Sequence, residues 1–305
     1  MEAIVPDWAQ PMTFADFELF LELVANRFQG RARIDDGVVT VKEGSGDAVS
    51  YGLANVLGQC RQIEKSNWAA LIEEHFANCE RSLAEGDDED FEDFEKIKEQ
   101  IALRVMPAAT VEEGNNDWYY RRGPDGTVVV LVIDLPSTIV TVQKELVAKW
   151  SAEEDFLFKK ALENVKKKFP VVQERQQLPT GYELTVFHGE HFYVSTHILL
   201  LDEYPELVGP YGSLVGIPVR DLLVVFPINC FDGTVQAVNA MIPILASMWK
   251  DGPGSTSAEL YWYNAGLFTP IPYKIKGADL DVLVPPSFKS LLELLVAIRE
   301  RGVDG

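Results

Sequence analysis

The sequence predicts an α+β protein with mainly antiparallel sheet, built from ββα units and with a more helical N-terminal part. Three observations carry this. Apolar residues recur at helical spacing near both ends of the chain. Short apolar or alternating runs come in pairs around turn residues. A helical pattern follows most of these pairs, so the order reads ββα and not alternating βαβ. No residue-level repeat at a fixed period accompanies it.

Taken in order, Phe17, Phe20, Leu21, Val24 and Phe28 predict a helix over 14–28, with Thr13 as its cap and Gly30 as its stop. Residues 31–34 and 38–41 flank Asp35-Asp36-Gly37 and predict a β-hairpin. Helices are predicted near 49–63 and 66–82. Eight of the eleven residues 85–95 are acidic, the density of a solvated loop or helix start, and Phe91 and Phe94 sit at a spacing that pins one face of a short helix. Gly114-Asn115-Asn116-Asp117 is the best linker, which divides the chain into a helical and hairpin domain over 1–113 and an α+β domain over 118–305.

The second half begins with an apolar run over 127–133, long enough for a central strand, and a short strand over 138–142. Ser151-Ala152-Glu153-Glu154 has the spacing of a capping box before a helix that Pro170 ends. Residues 182–187 and 192–195 read as a hairpin about a tight turn, and 214–217 with 222–226 as a second strand pair. Asp232 is the expected cap of a helix to about residue 250, kinked at Pro243 because the Asn239 carbonyl loses its donor. Strands near 258–264 and 271–276 follow, then a helix capped by Ser287 and stopped by Gly302.

Composition narrows the function. Across 305 residues, 47 acidic side chains face 27 Lys plus Arg, a net charge of −20, with 47 % apolar and 24 % charged residues. Such a chain folds. Its field repels a polyanion, so no nucleic-acid partner is expected; the run Lys166-Lys167-Lys168 suits a helix C-terminus. No apolar stretch reaches the roughly 18 residues of a membrane span. The first residues lack a basic region before an apolar stretch, and three scattered cysteines offer neither a disulfide framework nor metal spacing, so a cytoplasmic location is expected.

Chemistry-bearing candidates are few. His188-Gly189-Glu190-His191 would bring two imidazoles across a hairpin turn, a weak metal candidate, with His197 too far along an extended chain to join them. Asp134 at the end of the central strand, with Arg220-Asp221 in a turn, is a weak catalytic or ligand candidate. Nucleophile elbows and phosphate loops are absent, and Cys60, Cys79 and Cys230 read as small core residues. Tyr261, Tyr263 and Trp118 fill a core or anchor an interface. No cofactor is expected.

Several segments resemble a bacterial family grouped as domain of unknown function 1444. They are Val130-Leu131-Val132-Ile133-Asp134-Leu135-Pro136-Ser137 leading through Leu146 and Trp150 to Ala161-Leu162-Glu163-Asn164, then residues 193–201, Gly216-Ile217-Pro218-Val219-Arg220-Asp221-Leu222-Leu223, and 48–57. The resemblance covers about half the chain and implies a cytosolic bacterial α+β protein; it carries no activity or catalytic residue. The expected function is therefore that of a non-enzymatic acidic interaction protein, regulatory or immunity-like, binding a basic protein partner. The alternative is a small-ligand enzyme or hydrolase at Asp134, Arg220 and Asp221 or at His188 and His191. Association into a homo-oligomer is a third reading.

Overall fold

The computed structural model describes residues 5, 9, 12–35, 37–42, 48–86, 91–112, 117–135, 139–189, 191–252, 254–277 and 279–302. The fold is α+β with antiparallel sheets. The chain divides into two compact units, one comprising residues 1–89 and 136–138, the other 90–135 and 139–305. The division predicted at 113–118 falls instead between two strands of the second unit that pair with each other, described below. Of the linker itself, Gly114, Asn115 and Asn116 lie outside the described residues, as do Asp36 and residues 87–90 of the acidic stretch. Among the described residues no helix is long and apolar enough to cross a membrane.

In the first unit, α1 (Phe14–Arg27) begins where Thr13 accepts the Asp16 N–H at 3.2 Å, and Phe17, Phe20 and Val24 form its buried stripe. The hairpin β1 (Ala32–Asp35) and β2 (Val38–Lys42) forms as predicted, and β3 (Ala48–Gly52) adds a third antiparallel strand where the sequence predicts the start of a helix. The helices α2 (Ala54–Cys60) and α3 (Trp68–Gly86) follow. Phe28, Tyr51 and Phe76 pack ring on ring in this core, at 4.7–6.0 Å between centroids.

The second unit opens with α4 (Phe94–Ile97), where Phe91 and Phe94 pack on the core and the Trp150 indole donates to the Phe91 carbonyl at 2.7 Å. Then β4 (Ile101–Pro107), α5 (Ala109–Glu112), β5 (Tyr120–Arg122), β6 (Thr127–Asp134) and β7 (Ile139–Thr141) appear. Strand β6 is the predicted central run; β4, unexpected, pairs along it over seven residues, and β5 and β7 pair on its other side. Residues 129, 131 and 133 of β6 face one apolar cluster, and 128, 130 and 132 face another, as strand alternation requires.

The helices α6 (Lys144–Trp150) and α7 (Glu154–Lys168) come next. The predicted capping box does not form: Ser151 adopts φ +51°, ending α6 in the left-handed region, and Glu153 precedes α7 without a side-chain cap. The strands β8 (Val172–Gln177), β9 (Glu183–His188), β10 (Ser213–Gly216), β11 (Leu222–Pro227), β12 (Leu260–Asn264) and β13 (Leu267–Ile271) build an antiparallel sheet in the order β13-β12-β10-β11-β9-β8. One face packs on the cluster shared with β4 and β6; the other packs on α8 (Phe231–Asp251), which contains Pro243, and on α9 (Pro286–Glu300), after the hairpin β14 (Tyr273–Lys276) and β15 (Asp279–Val282). The caps Asp232 and Ser287 fail. Each lies inside its helix's first turn, and Asp232 pairs with Arg299 at 2.8 Å instead.

Candidate functional site

The predicted histidine hairpin is absent. Residues 192–195 do not return as a strand; they form a turn entering a 3-10 helix, Ser195–Glu203, and β9 pairs with β8 and β11 instead. Glu190 lies outside the described residues. The His188 Nε2 sits 3.2 Å from Glu174 across the β8–β9 pair. His191 uses both ring nitrogens internally, Nε2 at 3.0 Å from the Pro170 carbonyl and Nδ1 accepting the Tyr193 N–H at 3.3 Å. His197 is 1 % exposed, with Nδ1 2.9 Å from the Tyr204 hydroxyl and Nε2 3.0 Å from the Phe169 carbonyl. The carbonyl only accepts, so Nε2 carries the proton and Nδ1 receives one from Tyr204. Burial pulls the His197 pKa down to about 4. Among the described residues no group of three or more His, Cys, Asp or Glu converges as a metal site.

Of the two readings for Tyr261 and Tyr263, core or interface, the structure places both in the core. Tyr261 is 0 % exposed and Tyr263 3 %. The Tyr261 hydroxyl donates to the Asp125 carbonyl and lies 2.7 Å from Ser257 Oγ, and Tyr263 donates to Asp202. Trp118 is half-buried and bridges to Gln143. A cavity of about 460 Å³ lies beside the β5–β6 turn, lined among others by Tyr120, Arg122 and Asp125, and by none of the predicted site residues.

What the structure does assemble is a charged aromatic cluster that includes Asp134 and Arg220. On β6, Asp134 continues the 128, 130, 132 face; on β4, Arg104 projects toward the same side, between Ala102 and Met106. Tyr193 packs in that cluster, stacked on Phe169 at 4.0 Å, and its hydroxyl donates to Asp134. Burial raises the Asp134 pKa, against the Tyr193 hydrogen bond and the positive charges of Lys168 and Arg104. Burial and the Asp134 carboxylate push the Tyr193 hydroxyl far above the usual phenol range.

Phe192 lies next to Tyr193, 40 % exposed. The Arg220 guanidinium covers its ring with Cζ 3.9 Å from the centroid, and Arg104 approaches the same ring at 5.9 Å. Arg220 is held from its backbone: its N–H donates to the Gly254 carbonyl and its carbonyl accepts from Ser195, both at 3.0 Å. Its stem runs against Gly254, where a Cβ would fall 2.6 Å from Arg220 Cδ and where φ is +68°. Only glycine combines that backbone with that contact. Burial, and then the neighbouring Arg104, lower the Arg220 pKa to about 10, against the pull of Asp221. Arg104 is lowered by burial as well.

Asp134 and Arg220 thus belong to one cluster, Asp221 bears on it through its charge on Arg220, and His188 pairs elsewhere, with Glu174. Sequence reasoning misses Arg104, Phe192 and Tyr193. The available signal for Arg104 is a single arginine inside an otherwise apolar run, Ile101-Ala102-Leu103-Arg104-Val105-Met106. No protein-family model, no curated protein and no solved structure matches the chain.

Proposed function

We propose that the protein is a non-enzymatic, acidic interaction protein whose partner is a basic protein, and that it belongs with the bacterial family its sequence resembles. The observation that carries this reading is how its cations are spent. Twelve described Lys and Arg side chains sit in carboxylate ion pairs on the surface, among them Arg27, Arg121, Lys160 and Arg299. Arg220 is turned inward. The surplus of 20 negative charges is therefore left as a field over the exterior. Such a field speeds encounter with a cationic partner, while affinity depends on buried aromatic anchors. With Tyr261 and Tyr263 in the core, the anchor is assigned to the end of α8, where Met248 and Trp249 are 37 % and 43 % exposed and Ile244 lies one turn earlier.

The test is affinity capture from the native host at low and at moderate salt. A stoichiometric basic protein, bound at low salt, weakened by added salt and lost from the Trp249→Ala variant, supports the reading. Recovery of no stoichiometric partner under either condition overturns it.

A further inference from the structure

The geometry points to a second site, independent of the partner reading: Arg104 and Arg220, which both approach the Phe192 ring, form the recognition site for the phosphate group of a small molecule. Three observations carry it. The two guanidiniums share one ring, which places their Cζ atoms at most about 10 Å apart. The two like charges repel, which is one cause of the lowered Arg220 pKa beside burial, and burial lowers Arg104 as well. An anion within reach of both guanidiniums offsets that repulsion. Second, among the described residues the Arg104 guanidinium makes no hydrogen bond; its side chain meets the Phe192 ring and the fields of Tyr193 and Asp134 only. Up to five N–H donors are thus uncommitted within the described residues.

Third, the charge among the described residues here is inverted relative to the chain. Of the described groups whose charges act on Asp134 and Arg220, Arg104, Arg220 and Lys168 stand against Asp134 and Asp221, a positive balance in a protein of net charge −20. Asp134 is further occupied by the Tyr193 hydroxyl. A phosphate group fits this setting better than a carboxylate. It carries close to two negative charges at neutral pH, and its three terminal oxygens accept from both planar forks at once. Access is open, since Phe192 is 40 % exposed and Arg104 only half-buried. The built support for Arg220 agrees with a positioned side chain: Gly254 on one side, the Phe192 ring on the other, and two backbone hydrogen bonds at its own residue.

The test is isothermal titration calorimetry of the full chain with inorganic phosphate at low ionic strength, with acetate in a parallel titration. Saturable binding of one phosphate per chain is expected, with acetate at least about tenfold weaker. The Arg104→Gln and Arg220→Lys variants are each expected to weaken phosphate by about tenfold or more, since lysine keeps the charge and loses the fork. Near-ultraviolet circular dichroism checks that each variant is folded. Arg104→Gln removes a side chain with no hydrogen bond to any described residue, so it keeps the test decisive should Arg220→Lys fail to fold. Absence of saturable phosphate binding, acetate binding as tight as phosphate, or unchanged affinity in folded Arg104→Gln would each overturn the assignment.

Discussion

The chemistry at single residues follows from which polar groups the fold has buried. His197 is the sharpest case, because both ring nitrogens are engaged and the neutral form is locked in. Its pKa of about 4 in the folded chain lies below the ordinary 6.5. Between those values the unfolded chain binds more protons, so stability is complete above about pH 6.5 and falls as the pH drops toward 4. A tenfold difference in proton affinity corresponds to about 1.4 kcal/mol, so the loss over this range totals about 3 kcal/mol. Asp134 works the other way, since its raised pKa lets the folded chain keep a proton longer than the unfolded one. The measurement is urea denaturation across this range for wild type and His197→Gln. The difference between their stabilities is expected to shrink steadily as the pH falls from 6.5 to 4. A constant difference would show that His197 does not titrate as described.

At the scale of the element, β4 shows how an edge strand is made safe. Strand β6 covers one edge of β4, and on the other the carbonyls of Ile101 and Leu103 are taken by side chains. Asn164 of α7 donates to the carbonyls of Lys98 and Ile101 at 2.9 and 2.8 Å, and Thr196 donates to Leu103 at 3.1 Å. Both side chains are within 2 % of full burial. They occupy part of an edge that would otherwise be open to another chain. Asn164→Leu leaves two carbonyls without a donor and is expected to cost about 1–3 kcal/mol each at most. Denaturation midpoints measure that loss; an unchanged midpoint would mean water replaces the amide at no cost.

The same strand marks the limit of what sequence reveals. The hairpin of β1 and β2, the helix α1 and strand β6 are legible because their periodicity and turn residues agree locally. In β4, Ala102, Leu103, Arg104 and Met106 are good helix formers, and its strand state comes from pairing with β6, a contact the local pattern does not contain. The 192–203 segment defeats local reading for a related reason. Its 3-10 helix is fixed by partners far along the chain, with Ser195, Thr196 and His197 reaching Arg220, Leu103 and Phe169. Hence Asp134 and Arg220 are visible in the sequence as isolated ionisable residues, while the ring that joins Arg220 to Arg104 is not.

Over the whole molecule, two opposing effects of salt can be weighed. The surface ion pairs, such as Lys160 with Glu99 and Arg27 with Glu73, are mostly exposed on at least one side and each is worth about 0–1 kcal/mol. Salt weakens them, but the partners touch, at 2.6 and 2.8 Å in these two, and contact pairs are screened least. The surplus of 20 negative charges acts over longer distances. Its self-repulsion disfavours the compact state, and separations beyond about 10 Å are already screened at 0.1 M salt. The long-range repulsion is thus removed first, so added sodium chloride is expected to stabilise the protein. Thermal unfolding followed from low salt to about 0.5 M should show a midpoint rising by about 2 °C or more, equivalent to roughly 1 kcal/mol for a chain of this size. A midpoint that falls would mean the local ion pairs outweigh the long-range repulsion in the folded chain.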